Sequence, residues 1–136
     1  MQTFDTNVVV RIILGDDPEQ AVLATRQWVN ALQTGGIYLP TVVLVEVVWV
    51  LVRAAKLSRE RIASELRRLT SMDRIWVEQA PAVQSAIALY AQSSFDFADC
   101  LVLESARHAG SLPVKTFDRR FARHTDVALI TGESAA

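Results

Sequence analysis

Apolar residues along this chain fall into two kinds of pattern, recurrences at helical spacing and short runs of a few residues between them. Asp17-Pro18-Glu19-Gln20 has the form of a helix start: Asp as N-cap, Pro at the first helical position and Gln completing a capping-box-like pattern. The helix it opens is predicted to run to about Gln33 and to stop at Gly35-Gly36. Residues 58–69 are amphipathic, with Ile62, Leu66 and Leu69 on one face and Arg59, Arg67 and Arg68 elsewhere. Further helices are predicted over 81–91 and over 97–109, the second ending at Gly110. Short strands are predicted at Ile37–Leu39, Ile75–Val77, 112–116 and 128–130. At the start of the chain, Phe4-Asp5 reads as the end of an apolar strand, Thr6-Asn7 as a turn, and Val8 onward as a helix or a second strand.

The run 41–54 is ambiguous by pattern alone. Its valines favour a strand, but it is longer than a usual strand and a Pro-Thr pair stands at its start, so it is assigned to a buried helix. Helices alternating with short strands imply an α/β fold, a mostly parallel sheet with helices on both faces. No repeat, low-complexity tract or linker divides the chain, so one domain is expected over 1–131 with a frayed tail at 132–136.

Composition narrows the class. Half of the 136 residues are apolar and a fifth are charged, the profile of a globular chain long enough to bury a core. Cys100 is the lone cysteine and cannot form an internal disulfide, which suits a cytoplasmic setting. The N-terminus lacks the basic and apolar regions of a signal peptide. The longest apolar run, 42–52, is interrupted by Glu46 and is too short to span a bilayer, so no membrane partner is expected.

The net charge of −1 argues at first against a nucleic-acid partner. That average hides a separation. If Asp5, Glu46, Asp96, Asp99 and Asp118 gather in one site, ten acids remain against fourteen Lys and Arg. Twelve of those fourteen are Arg, the side chain best suited to forked phosphate contacts, a balance that permits RNA binding without establishing it.

Those acids carry the candidate chemistry. In an open parallel sheet, ligands bind beyond the C-terminal ends of the strands. Asp5 ends the first strand and Asp118 follows the strand of Val114 and Thr116, so both belong to that rim, although either could equally cap a helix or form a turn. Glu46 is the polar exception among ten apolar residues, with apolar Val42, Trp49 and Val50 at helical spacing. A buried carboxylate without a partner costs several kcal/mol, so a cation is expected there, the alternative being a solvent-facing position pairing toward Arg53. In "SSFDFADCL", Asp96 can cap a helix, while Asp99 three residues on would repel it unless a metal ion reverses that interaction. Carboxylates from separate elements suit Mg²⁺, with Mn²⁺ as a substitute. Zinc is not expected, because His108 and His124 lie far apart in sequence and the lone Cys100 forms no metal-ligand spacing with another residue; each His reads as a surface residue. Trp28, Trp49 and Trp76 lie in apolar patterns and read as core.

With these segments assembled, the chain resembles PIN-domain ribonucleases, specifically VapC-like toxins of type II toxin–antitoxin pairs, over essentially its whole length. "FDTNVVVRIILGDDPEQA" matches the family's N-terminal block, "VLVEVVWVL" its second acid, "DFADCLVLESARHAG" its third, and "VKTFDRRFAR" its last. The resemblance implies a PIN-like three-layer sandwich. It implies a catalytic and metal-binding pocket of Asp5, Glu46, Asp99 and Asp118, with Asp96 a further acid of undecided role. Thr6, Asn7 and Thr116 match positions that orient the carboxylates. The implied activity is Mg²⁺-dependent endoribonuclease cleavage leaving a 5′-phosphate and a 3′-hydroxyl. A cognate antitoxin and a homodimer are also implied, with 41–54 and 58–69 as candidate interface segments. Arg119, Arg120 and Arg123 are candidates for RNA phosphates or partner carboxylates, or form a solvated helix face. The departures are Cys100, where the family usually has Ala, and Lys115 in an otherwise apolar strand, where it could reach phosphate or mark an edge. Two rivals remain. A phosphoryl-accepting α/β domain wants paired acids at the first strand end or a second Asp at position 7, where Asn7 stands. A catalytically silent PIN-like binding module would keep the fold alone.

Overall fold

The computed structural model describes residues 1–132 and divides into two compact units, Met1–Ala80 and the part from Pro81 onward. Of the tail expected at 132–136, all but Gly132 lies outside the described residues. Among the described residues the strands form two ladders rather than one, of three and two strands, and every pairing is parallel.

In the first unit, β1 (Gln2–Thr3), β2 (Ile37–Leu39) and β3 (Ile75–Val77) lie in the order β1-β2-β3, with Gln2 opposite Ile37 and Ile37 opposite Ile75. The central strand carries fully buried Ile37 and Leu39, as a strand covered on both faces should. Helix α1 (Thr6–Leu14) starts directly at Thr6, so Thr6-Asn7 form its first turn instead of a separate one. It ends on Gly15, whose φ of +64° and N–H to the Arg11 carbonyl (2.8 Å) make a left-handed cap.

Helix α2 (Pro18–Thr34) begins as predicted, Asp17 accepting the Gln20 N–H at 3.3 Å. The reciprocal half of the capping box is not made, because the Gln20 side chain accepts from Arg11 Nε at 2.9 Å instead. Helix α3 (Thr41–Arg53) buries Val43, Leu44, Val47, Val48 and Leu51 along one face. Truncating Leu44 or Leu51, both fully buried, would cost roughly 2–5 kcal/mol. Its other face is not buried: Val42 is 62 % and Trp49 59 % exposed. The helix assignment of 41–54 therefore holds, and its all-round burial does not. Helix α4 (Arg59–Thr70) is capped by Ser58, buries Ile62, Leu66 and Leu69, and pairs Glu65 with Arg61 and Arg68 on its outer side. Helix α1 packs on α2 and α3, and α4 on α3 and β3.

Trp28 is core and lies 5.2 Å from the Phe4 ring, but Trp49 and Trp76 are both more than half exposed, contrary to their expected burial. Trp76 rests on Gly36, where φ is +91° and a Cβ would stand 2.3 Å from the indole.

The second unit takes in α5 (Ala80–Gln92) from its second residue on, α6 (Phe97–His108), β4 (Val114–Thr116), a 3₁₀ turn at Phe121–Arg123 and β5 (Val127–Leu129). Val114 pairs with Val127, and the core joins Leu103, Phe121 and Val127 to Leu89, Phe95, Val114 and Ala122. Tyr90 meets Phe97 edge-on at 5.8 Å, and Phe95 meets Phe121 at 5.6 Å. Buried Glu104 is satisfied by Arg107 (3.0 Å), which also reaches Asp126 (2.8 Å) and so pins α6 to the turn before β5.

Candidate functional site

The three ladder strands of the first unit run the same way, so their C-terminal ends share one rim. Asp5 follows β1 there and serves as the N-cap of α1, its Oδ1 accepting the Thr6 N–H at 2.7 Å. Thr6 faces two ways. Its backbone binds Asp5, while its hydroxyl donates to Glu46 Oε1 at 3.0 Å, tying together two acids forty positions apart. Asp5 and Glu46 are both exposed.

The exposure of Glu46 overturns the expectation that it is a desolvated carboxylate within a buried run. Glu46 lies on the side of α3 opposite Val43, Leu44 and Val47, and the apolar Val42 and Trp49 beside it are exposed as well. A helix that is apolar on every side carries no periodicity from which its outer face can be read. Pairing toward Arg53 is not made either, since that guanidinium lies over the Trp49 ring at 5.6 Å. Asn7 is exposed and lines a groove of about 330 Å³ between α1 and α2, together with Phe4, Val8, Arg11 and Leu23.

A third carboxylate occupies the same rim and escaped the sequence reading. Glu78 follows β3, and its Oε1 accepts both the backbone N–H (2.8 Å) and the hydroxyl (3.0 Å) of Thr41. Pro40, the N-cap residue of α3, supplies no side-chain cap, so Glu78 caps that helix from across the sheet. Those two hydrogen bonds hold its carboxyl below the usual glutamate range, against a smaller opposing effect of burial. The signal was present, because Glu78 stands just past a strand end as Asp5 and Asp118 do.

In the second unit, Asp96 occupies the N-cap position of α6 but makes no side-chain capping hydrogen bond. The capping hydrogen bond expected of its side chain is therefore not made. Asp99, in the first turn of α6, is half-buried. Burial pushes its carboxyl above the ordinary aspartate range, the charges of Asp96 and Asp118 push it further, and Arg120 opposes them. Asp118 sits in a small hydrogen-bonded turn beyond β4. Its N–H donates to Thr116 Oγ1 (3.0 Å), and its Oδ1 accepts the N–H groups of Arg120 (2.8 Å) and Phe121 (3.3 Å). Arg119, Arg120 and Arg123 are exposed; the Arg120 guanidinium donates to the Ser94 carbonyl. Lys115 is exposed on β4, and Cys100 is buried.

Among the described residues, no three His, Cys, Asp or Glu side chains form a group positioned to hold a metal ion. Mg²⁺ does not require such a group, since it is commonly held by one or two carboxylates with water and substrate phosphate. The donors are carboxylates and hydroxyls, and the mutual repulsion around Asp99 is what a cation would relieve. The chemistry of the donor set therefore fits a hard divalent cation.

The PIN domain family model matches residues 3–127 of this chain. The VapC ribonuclease of Aquifex aeolicus (strain VF5) is 30% identical over 125 residues, which cover 90% of this chain and 91% of that protein. No solved structure matches.

Proposed function

This chain belongs to the PIN-domain family, and on that footing we propose that it is a metal-dependent endoribonuclease toxin, held in check by a cognate antitoxin. The observation that carries the reading is its 30% identity, spanning nearly both full chains, to a protein named a VapC ribonuclease. The tie of Asp5 and Glu46 through Thr6, and the like-charge coupling of Asp96, Asp99 and Asp118, support the same reading.

Asp5, Glu46, Asp99 and Asp118 are the proposed catalytic and metal-binding acids, Asp5 and Asp99 the most direct ligands, with Asp96 as an auxiliary. Thr6 orients Glu46 through its hydroxyl, and Thr116 fixes the backbone that presents Asp118. Mg²⁺, or Mn²⁺ in its place, would supply positive charge at the scissile phosphodiester and acidify an attacking water. The side chains' own part is to supply carboxylate oxygens to the cation. Exposed Arg119 and Arg123 are candidate contacts to RNA phosphates or to antitoxin carboxylates. The exposed apolar face of α3, with Val42, Trp49 and Val52, is a candidate homodimer surface. None of the described helices is long and apolar enough to cross a membrane; the proposed site of action is the cytoplasm.

The test is RNA cleavage with Mg²⁺ by Asp5→Asn and Asp99→Asn, alongside growth on induction. Both variants are expected to lose cleavage and toxicity. Full activity in either removes that residue from the site.

A further inference from the structure

Four of the five phenylalanines of this chain meet another ring: Phe4 meets Trp28, Phe97 meets Tyr90, and Phe95 and Phe121 meet each other. Phe117, the fifth, is 79 % exposed, more than any other large apolar side chain described. A single apolar residue on a surface is ordinary. What sets Phe117 apart is its place and its support. It stands between Thr116, the last residue of β4, and Asp118, one of the proposed site acids. The chain is fixed on both sides of it. The Thr116 carbonyl accepts the Ile130 N–H at 2.8 Å, and the Thr116 hydroxyl accepts the Asp118 N–H at 3.0 Å. Asp118 Oδ1 in turn accepts the N–H groups of Arg120 and Phe121. The turn therefore holds the Phe117 ring out in solvent, one residue from the Asp118 carboxylate.

The flanking side chains are cationic. Lys115, two residues back, and Arg119, two residues on, are both exposed, whereas Val114 and Thr116 are partly covered. An apolar protein contact is depleted of charge at its centre, which this surroundings is not. Single-stranded nucleic acid asks for cations along its phosphates and an aromatic face for its bases.

We propose that Phe117 is a stacking platform for an unpaired RNA base, that of the nucleotide adjoining the cleaved phosphodiester, with Lys115 and Arg119 on the flanking phosphates. The inference rests on the ribonuclease reading above and deepens it by naming how that site holds its substrate. Consecutive Cα atoms lie about 3.8 Å apart, so a base seated on this ring brings its neighbouring phosphate toward Asp118. Every base has a π face, so the platform tolerates sequence but needs a base splayed out of its helix.

Binding is measured on the full chain in EDTA, which separates it from cleavage, by fluorescence anisotropy. The probes are a short unstructured RNA of mixed sequence and the same RNA with abasic sites in place of its bases. Phe117→Ala is expected to bind the intact RNA about tenfold more weakly or worse, and to bind the abasic RNA as wild type does. Phe117→Leu, apolar without a ring, should behave like Phe117→Ala, and Phe117→Trp should bind at least as tightly as wild type. Lys115→Gln, by contrast, should weaken both RNAs alike, as loss of a phosphate contact does. Intact RNA bound equally by wild type and Phe117→Ala overturns the proposal, as does full binding by Phe117→Leu or an equal loss on both RNAs in Phe117→Ala. A change in oligomeric state in Phe117→Ala with RNA binding intact makes the ring a protein contact and overturns it too. No binding of the intact RNA by wild type has the same consequence. Replacing EDTA with Mg²⁺ tests the reading beneath. A wild type that binds RNA through Phe117 but leaves cellular RNA uncut removes the ribonuclease reading and keeps the stacking role. One that cuts RNA while Phe117→Ala binds it equally keeps the ribonuclease reading and removes the platform.

Discussion

The carboxylates of the two units are held by opposite means. In the first unit, Asp5 and Glu46 are exposed and positioned by hydrogen bonds from one residue, Thr6. In the second, Asp99 is half-buried among like charges, whose effect Arg120 opposes only in part. Hydrogen bonds fix where an acid points at little cost, whereas crowding stores repulsion that a cation can release. The first arrangement supplies geometry, and the second supplies appetite for positive charge.

The sharpest way to break this contrast is to neutralise one acid from each side. Asp99→Asn should abolish cleavage, a loss of roughly a thousandfold or more for several kcal/mol of charge stabilisation, yet raise the metal-free melting temperature by about 2–4 °C as repulsion is relieved. Asp5→Asn should lose comparable activity without that gain in stability, and an equal gain in both variants would erase the distinction. Next in size, Thr6→Val should lower activity by about tenfold, the equivalent of one hydrogen bond to a charged group, while Thr6→Ser retains it. An inert Thr6→Val would mean that Glu46 needs no positioning.

The contrast extends to pH. The pKa of Asp99 is raised, so the folded chain holds its proton more tightly than the unfolded chain does. That contribution is fully present below the ordinary aspartate pKa and is lost as pH rises through the raised one. Glu78, lowered by its bonds to Thr41, behaves oppositely: its stabilisation is present above the ordinary glutamate pKa and is lost as pH falls through the lowered one. Denaturant titrations across the acid range should show the first slope vanish in Asp99→Asn and the second in Glu78→Gln. The smallest expected effect is that of Glu78→Ala, the loss of a helix cap, at about 1 kcal/mol. It should lower the melting temperature by about 4 °C, with only a slight decrease in cleavage.

Much of this was legible in the sequence where a local rule decides the structure. Asp17-Pro18 opens a helix because its cap and first-turn chemistry are self-contained, and Asp5 and Asp118 do follow strands, as their flanking apolar residues predict. What stayed hidden depends on partners distant in sequence. Glu46 and Trp49 were misplaced because a run of valines looks the same from every side, and only tertiary packing selects the face that stays out. Gln20 was drawn from its capping box by Arg11, and Asp96 took the cap position without making its bond. Glu78 was passed over because its partner, Thr41, lies 37 residues away.

The contact between Gly36 and Trp76 has a consequence on an evolutionary scale. The indole occupies the space that any side chain at position 36 would need, and the backbone there holds a φ of +91°. Position 36 can therefore gain a side chain only if position 76 gives up its ring and the strand entry relaxes. The dependence runs one way, because the Arg74 carbonyl, 2.6 Å from that Cβ, keeps position 36 a glycine even without the ring. Across relatives of this chain, the aromatic on β3 should be lost freely while Gly just before β2 stays, and a side chain at position 36 should never accompany a large aromatic at position 76.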